Sequence, residues 1–176
     1  MVVLVLPLDG KNGKKELKLD NIDWRSKFTL IGQTCCENKL REFSFKLIHR
    51  LTVTKKKLCT YGLEDENKCL YCKEPDSILH TFVECHFTQD FYTKLVDWFN
   101  AKFSCTFSPK SHEILFGIVI NISENSVLQF NYCLLFAKYY VYYQKMYPKH
   151  CNIDEFVIKV EQKLIIDSRL KRKILV

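Results

Sequence analysis

The chain has 176 residues, with 27 Lys plus Arg against 20 Asp plus Glu, a formal balance of +7. Hydrophobic residues make up 47% of it, aromatics 14%, and Gly and Pro number only 5 and 4. That composition excludes a disordered or collagenous chain and a multidomain polymerase, and it points to one mainly α globular domain.

The opening run Val2 to Leu8 lacks the basic lead of a secretory signal, and no apolar stretch approaches the roughly 18 residues of a membrane helix. With nine cysteines, an odd number, the expectation is an intracellular, reducing compartment in which thiols are metal ligands or core fillers. No membrane and no small-molecule substrate are expected as partners.

In chain order, residues 1–27 read as a poorly ordered leader, 28–168 as the domain and 169–176 as a basic tail. Between Glu37 and Val53 the apolar residues Leu40, Phe43, Leu47, Ile48 and Leu51 recur at three and four, which predicts an amphipathic helix with Lys39, Arg41, Lys46 and Arg50 mostly on its other faces. A short helix is predicted from Thr54 to Tyr61, stopped by Gly62, a residue that tolerates the left-handed conformation.

An acidic loop follows, then a brief helix capped by Asp76 or Ser77 and reaching Phe82. After Cys85 a longer helix carries Phe87, Phe91, Leu95, Trp98 and Phe99 on one side. The stretch 104–117 is a connection containing one helical turn at Glu113 to Phe116. From Asn125 to about Tyr147 nearly every turn is apolar, and the polar stripe Asn131, Lys138, Lys145 is expected to face water. Tyr139, Tyr142 and Met146 share a face assigned to the core, which leaves Tyr140, Tyr143 or Tyr147 for exposure. A last amphipathic helix, Asp154 to Ile166, turns Phe156, Val157, Val160 and Leu164 inward.

One constellation carries chemistry. Cys69, Cys72, His80 and Cys85 form the spacing C-x2-C-x7-H-x4-C within seventeen residues. Two thiols across a tight turn, with an imidazole and a third thiol five residues apart at a helix end, supply the four corners of a tetrahedral Zn2+ site. With every corner filled by protein, the ion is structural rather than a Lewis acid. His86, next to Cys85, and Cys59, ten residues before Cys69, are alternatives for one corner.

Charge is unevenly distributed around this knuckle. Residues 37–58 hold seven basic groups against two acidic ones, a net +5, whereas 62–90 hold seven acidic against two basic, a net −5. Cys3His around Zn2+ is itself net −1, so phosphates belong on the basic segment. Lys39, Lys46, Arg50, Lys55, Lys56 and Lys57 are the candidate contacts to an RNA or DNA backbone, with a solvated helix face as the competing reading.

Taken together, the helix Lys39 to Arg50, Tyr61-Gly62-Leu63, the pair Cys69 and Cys72, the run His80-Thr81-Phe82-Val83-Glu84-Cys85 and, downstream, Ala137 to Tyr142 follow a familiar order. The chain resembles the zinc-binding region that follows the reverse transcriptase domain in non-LTR, LINE-like retrotransposon proteins. The resemblance implies that Cys69, Cys72, His80 and Cys85 are the zinc ligands, that the domain binds element RNA or target DNA, and that a polymerase domain supplied elsewhere does the chemistry. It does not imply an enzyme, because no Asp-Asp dipeptide of the polymerase site occurs here. The rival reading is a zinc-stabilised protein-interaction module, or an inert fragment of a mobile element.

Overall fold

In the computed structural model, residues 23–34, 37–119, 125–147 and 149–169 are described, and they form seven α-helices and one π turn. Residues 1–22 of the expected leader, Cys35-Cys36 and the tail from residue 170 lie outside the described residues. The helices are α1 (Trp24–Thr34), α2 (Asn38–Ile48), α3 (Lys55–Thr60), α4 (His86–Phe103), α5 (Ser111–Phe116), α6 (Asn125–Met146) and α7 (Ile153–Arg169), with the π turn at His80–Glu84.

The first helix begins inside the stretch read as leader. Asp23 accepts hydrogen bonds from the Ser26 backbone N–H and hydroxyl, which fixes the N-terminus at Trp24. Trp24 then packs edge-on against Phe116 at 5.2 Å, and Lys27 and Leu30 are buried. Trp24 to Lys27 are thus part of the fold.

The second helix buries Leu40, Phe43, Ser44 and Leu47, but it ends at Ile48, short of the expected Val53. Arg50 takes the left-handed conformation at φ 57°. Its N–H bonds the Leu47 carbonyl at 3.1 Å, and the Leu51 N–H bonds the Lys46 carbonyl at 2.6 Å, the paired bonds of a Schellman stop. Leu51, counted in the apolar stripe, is consequently 51% exposed. The same stop recurs after α3, where Gly62 at φ 68° bonds Cys59 and Leu63 bonds Leu58.

Around α6 stand α1, α2, α4, α7 and the π turn. Phe130, Tyr132, Cys133, Leu134, Ala137 and Val141 are all enclosed, and Phe91 stacks on Tyr140 while Phe99 meets Phe130 edge-on at 5.0 Å. Such aromatic pairs add about 0.5–1.5 kcal/mol each beyond their area. Met146, expected in the core, is 53% exposed at the helix end, whereas Tyr140 is only 5% exposed.

The polar stripe corrects the sequence reading most sharply, for Asn131, Lys138 and Lys145 are all buried. No face of the middle of α6 meets water, so each polar side chain reaches a partner in a neighbouring connection. Asn131 accepts from the Ile118 N–H at 2.7 Å and donates to the Ile118 carbonyl at 2.8 Å. Lys138 donates to the Leu115 carbonyl at 2.9 Å, and Lys27 of α1 donates to the Gly117 carbonyl at 2.5 Å. Gly117, at φ 81°, is packed so tightly that a Cβ there would sit 2.6 Å from a Leu30 methyl. Lys145 pairs with Asp76 at 2.5 Å.

Burial pulls the Lys138 ammonium down to about 7, with the neighbouring Lys27 charge pushing the same way. An unfolded lysine titrates near 10.4, so between those values the unfolded chain binds the extra proton and stability rises with pH. The urea midpoint of the zinc-saturated protein should therefore climb from about pH 7 to about pH 9, by up to roughly 2 kcal/mol from this residue. In Lys138→Met the climb should be correspondingly shallower.

Candidate metal centre

The Cys-Leu-Tyr-Cys turn is built by a minimal hairpin. An antiparallel bridge joins Lys68 to Pro75, the Cys69 N–H bonds the Glu74 carbonyl at 2.7 Å, and the Asp76 N–H bonds the Asn67 carbonyl at 2.7 Å. At the tip, Lys73 adopts φ 64° and its N–H returns to the Cys69 carbonyl at 3.1 Å. This curl folds Cys72 back toward Cys69. Tyr71 anchors the outside of the hairpin, its hydroxyl donating to the backbone carbonyl of Lys149 and its ring lying 5.5 Å from Phe87.

The other two ligands come from the π turn. Ser77 accepts from the His80 N–H at 3.0 Å, and the Cys85 N–H bonds the His80 carbonyl at 2.9 Å, a five-residue step in place of the α-helical four. In an α-helix, residues five apart would point about 140° away from each other. The wider turn brings the His80 imidazole and the Cys85 thiol to one side. Beyond it, α4 starts on the Cys85 carbonyl, which accepts from the N–H groups of Thr88 and Gln89 and from the Thr88 hydroxyl. Gln89 reaches back to the Val83 carbonyl at 2.8 Å, giving a partner to a group the widened turn leaves over.

Hairpin and π turn together place one ligand atom each of Cys69, Cys72, His80 and Cys85 within 4.8 Å of one another. Cys72 Sγ lies 3.1 Å from His80 Nε2 and 4.0 Å from Cys85 Sγ. A tetrahedron with Zn–S bonds of about 2.3 Å has edges of about 3.8 Å, so these atoms need little movement to close on the ion. Cys69, His80 and Cys85 are buried and Cys72 is partly exposed. The side-chain contact between Cys69 and Cys85 holds the Cys69 thiol well below its ordinary range and, together with burial, pushes Cys85 up.

The two alternative ligands stand apart from this group. Cys59 is half-buried on α3, and His86 is exposed with its ring 4.2 Å from Phe87.

What the spacing did not reveal is how the knuckle joins the core. Asp76, considered only as a helix cap, is buried and serves three elements. One carboxylate oxygen accepts from the Thr81 hydroxyl at 2.8 Å and from Lys145 of α6 at 2.5 Å. The other accepts from the Lys55 N–H at 3.1 Å and the Asp76 backbone carbonyl accepts from Lys56, so Asp76 joins Thr54, whose hydroxyl accepts from the Lys57 N–H, in holding the first turn of α3. The one trace in the sequence is Lys145 itself, whose partner lies 69 residues away.

Residues 15–92 match the family described as zinc-binding in reverse transcriptase. All four ligands, α1 to α3, the hairpin, the π turn and the first turns of α4 fall inside the match. No curated protein and no solved structure matches the chain. Among the described residues, no helix is long and apolar enough to cross a membrane.

The arrangement is a structural site for one Zn2+, held by three thiolates and one imidazole. Purified, reduced protein should carry one zinc per chain by elemental analysis, and Cys69→Ser and His80→Ala should each lose it. Asp76→Ala, which strands the buried Lys145 charge, should cost about 3–5 kcal/mol in chemical denaturation. Adding Lys145→Met to that variant should recover most of the loss.

Proposed function

We propose that this zinc-binding domain, related to reverse transcriptases, is a non-catalytic accessory that holds an RNA or DNA backbone on the basic residues of α2 and α3. The supporting observation is how those residues are gathered. Lys39 and Lys46 are exposed on α2, while Lys55, Lys56 and Lys57 open α3. Between the helices, the Lys57 ammonium donates to the Arg50 carbonyl at 3.1 Å, so the Schellman stop and the start of α3 are tied together.

The acidic hairpin follows directly, with Asp76 capping α3. In this reading zinc sets the hairpin, the hairpin sets Asp76, and Asp76 sets the helix that carries three lysines. Lys46 also pairs with Glu42 at 2.5 Å, but both side chains are more than half exposed, and a pair of that kind contributes little and yields readily to a phosphate. Four protein ligands leave no corner for a reacting water, and the chain has no Asp-Asp pair for polymerase metals, which supports an accessory rather than a catalytic role.

Charge reversal at Lys46, Arg50 and Lys56 together should weaken binding to a labelled oligonucleotide. It should also reduce the log–log salt slope by about 2 to 3, one phosphate contact per residue. Unchanged affinity and slope in the triple variant would move the function to the rival protein-interaction reading.

A further inference from the structure

Along the seam between α2 and α6 runs a row of tyrosines that starts on the core at Tyr139 and leaves it at Tyr143 and Tyr147. Tyr139, Tyr143 and Tyr147 stand at i, i+4 and i+8, with centroids 6.4 Å apart at an interplanar angle of 30° and then 4.7 Å apart at 42°. Tyr139 is half-buried, resting edge-on against Phe43 at 5.4 Å, but Tyr143 is 48% and Tyr147 57% exposed. On a helix whose middle is enclosed, large rings in file on the one face left to water are not a packing necessity.

The row lies beside the basic helix. The Lys39 ammonium sits 5.1 Å from the centre of the Tyr139 ring, and Tyr143 is also within its electrostatic reach. Further along α2, Lys46 lies within reach of Tyr142, the residue preceding Tyr143 on α6. Lys39 therefore flanks the inner end of the row, with Lys46 further along the same helix, an arrangement suited to an anionic polymer with flat apolar groups and unsuited to an apolar protein helix. Tyr143 and Tyr147, 4.7 Å apart, touch each other and together make one exposed aromatic surface at the end of the row. An unpaired base can lay its flat face on that surface.

We propose that Tyr143 and Tyr147, continued by Tyr139, form a stacking platform for the bases of a single-stranded nucleic acid whose phosphates run along Lys39 and Lys46. The proposal rests on the backbone-binding reading above and deepens it, by assigning a preference for unpaired over duplex strands. Aromatic rings hold any base by its flat face, so the preference is for strandedness and not for sequence.

The test compares a labelled oligouridylate with a duplex of the same length on the zinc-loaded full chain. Tyr143→Ala with Tyr147→Ala should lower single-strand affinity by about tenfold or more while leaving duplex affinity and the salt slope in place. Tyr143→Phe with Tyr147→Phe should restore it, because the rings and not the hydroxyls make the contact. Both residues are exposed, and unchanged zinc content with an unchanged urea midpoint reports an intact fold. Equal single-strand affinity in the alanine variant and the parent would overturn the platform while leaving backbone binding standing, provided charge reversal on α2 and α3 still weakens it. A parent that prefers the duplex would also overturn the platform. Binding of neither probe would remove the backbone reading and the platform with it.

Discussion

The structure is organised by the enclosure of α6. A helix packed on every side has no wet face, so a polar side chain on it must find a partner within the protein or carry the full desolvation penalty. Asn131, Lys138 and Lys145 meet that demand by reaching three different connections: the strap after α5, the end of α5 and the zinc hairpin. Their seven-residue spacing lines them up along the helix, and each fixes one piece of irregular chain that has little apolar surface of its own. Two of the amines near α5, from Lys27 and Lys138, bind the carbonyls of Gly117 and Leu115, at the helix end where the backbone dipole favours positive charge.

The zinc site and the Asp76–Lys145 pair divide the work of stabilising the hairpin. Its buried apolar content is small, chiefly the cysteines with Phe82 and Val83 of the π turn, which is too little to order an acidic loop. Structural zinc sites contribute on the order of 10 kcal/mol, comparable with the whole stability of an ordinary domain, so the metal closes the loop. The metal ties the hairpin to the π turn, and the buried pair ties it to α3 and α6.

How much of this was legible in the sequence follows from distance along the chain. The four ligands lie within seventeen residues and their spacing reflects coordination geometry directly, so the knuckle was readable. So were α4, α6 and α7, whose apolar residues repeat over several turns, and the Gly62 stop, where a glycine advertises the left-handed turn. The stop at Arg50 was not, because its residue type carries no such signal and the apolar period continued through Leu51. Lys27, Lys138 and Lys145 were misread or passed over because their partners are 90, 23 and 69 residues away. A lone lysine in an apolar run looks the same whether it surfaces or is buried.

The π turn has a consequence for how such a segment can diverge. Between His80 and Cys85 the widened turn uses its one surplus residue to bring both side chains to the ion. Thr81 to Glu84 can exchange side chains within the limits of packing, and a stretch one residue shorter would set the two ligands four apart, about 40° from each other on an ordinary α-helical turn. What this stretch must keep is the match between its length and the width of its turn. A lineage that loses a residue here keeps both ligands on one side only by exchanging the π turn for an α-helical one.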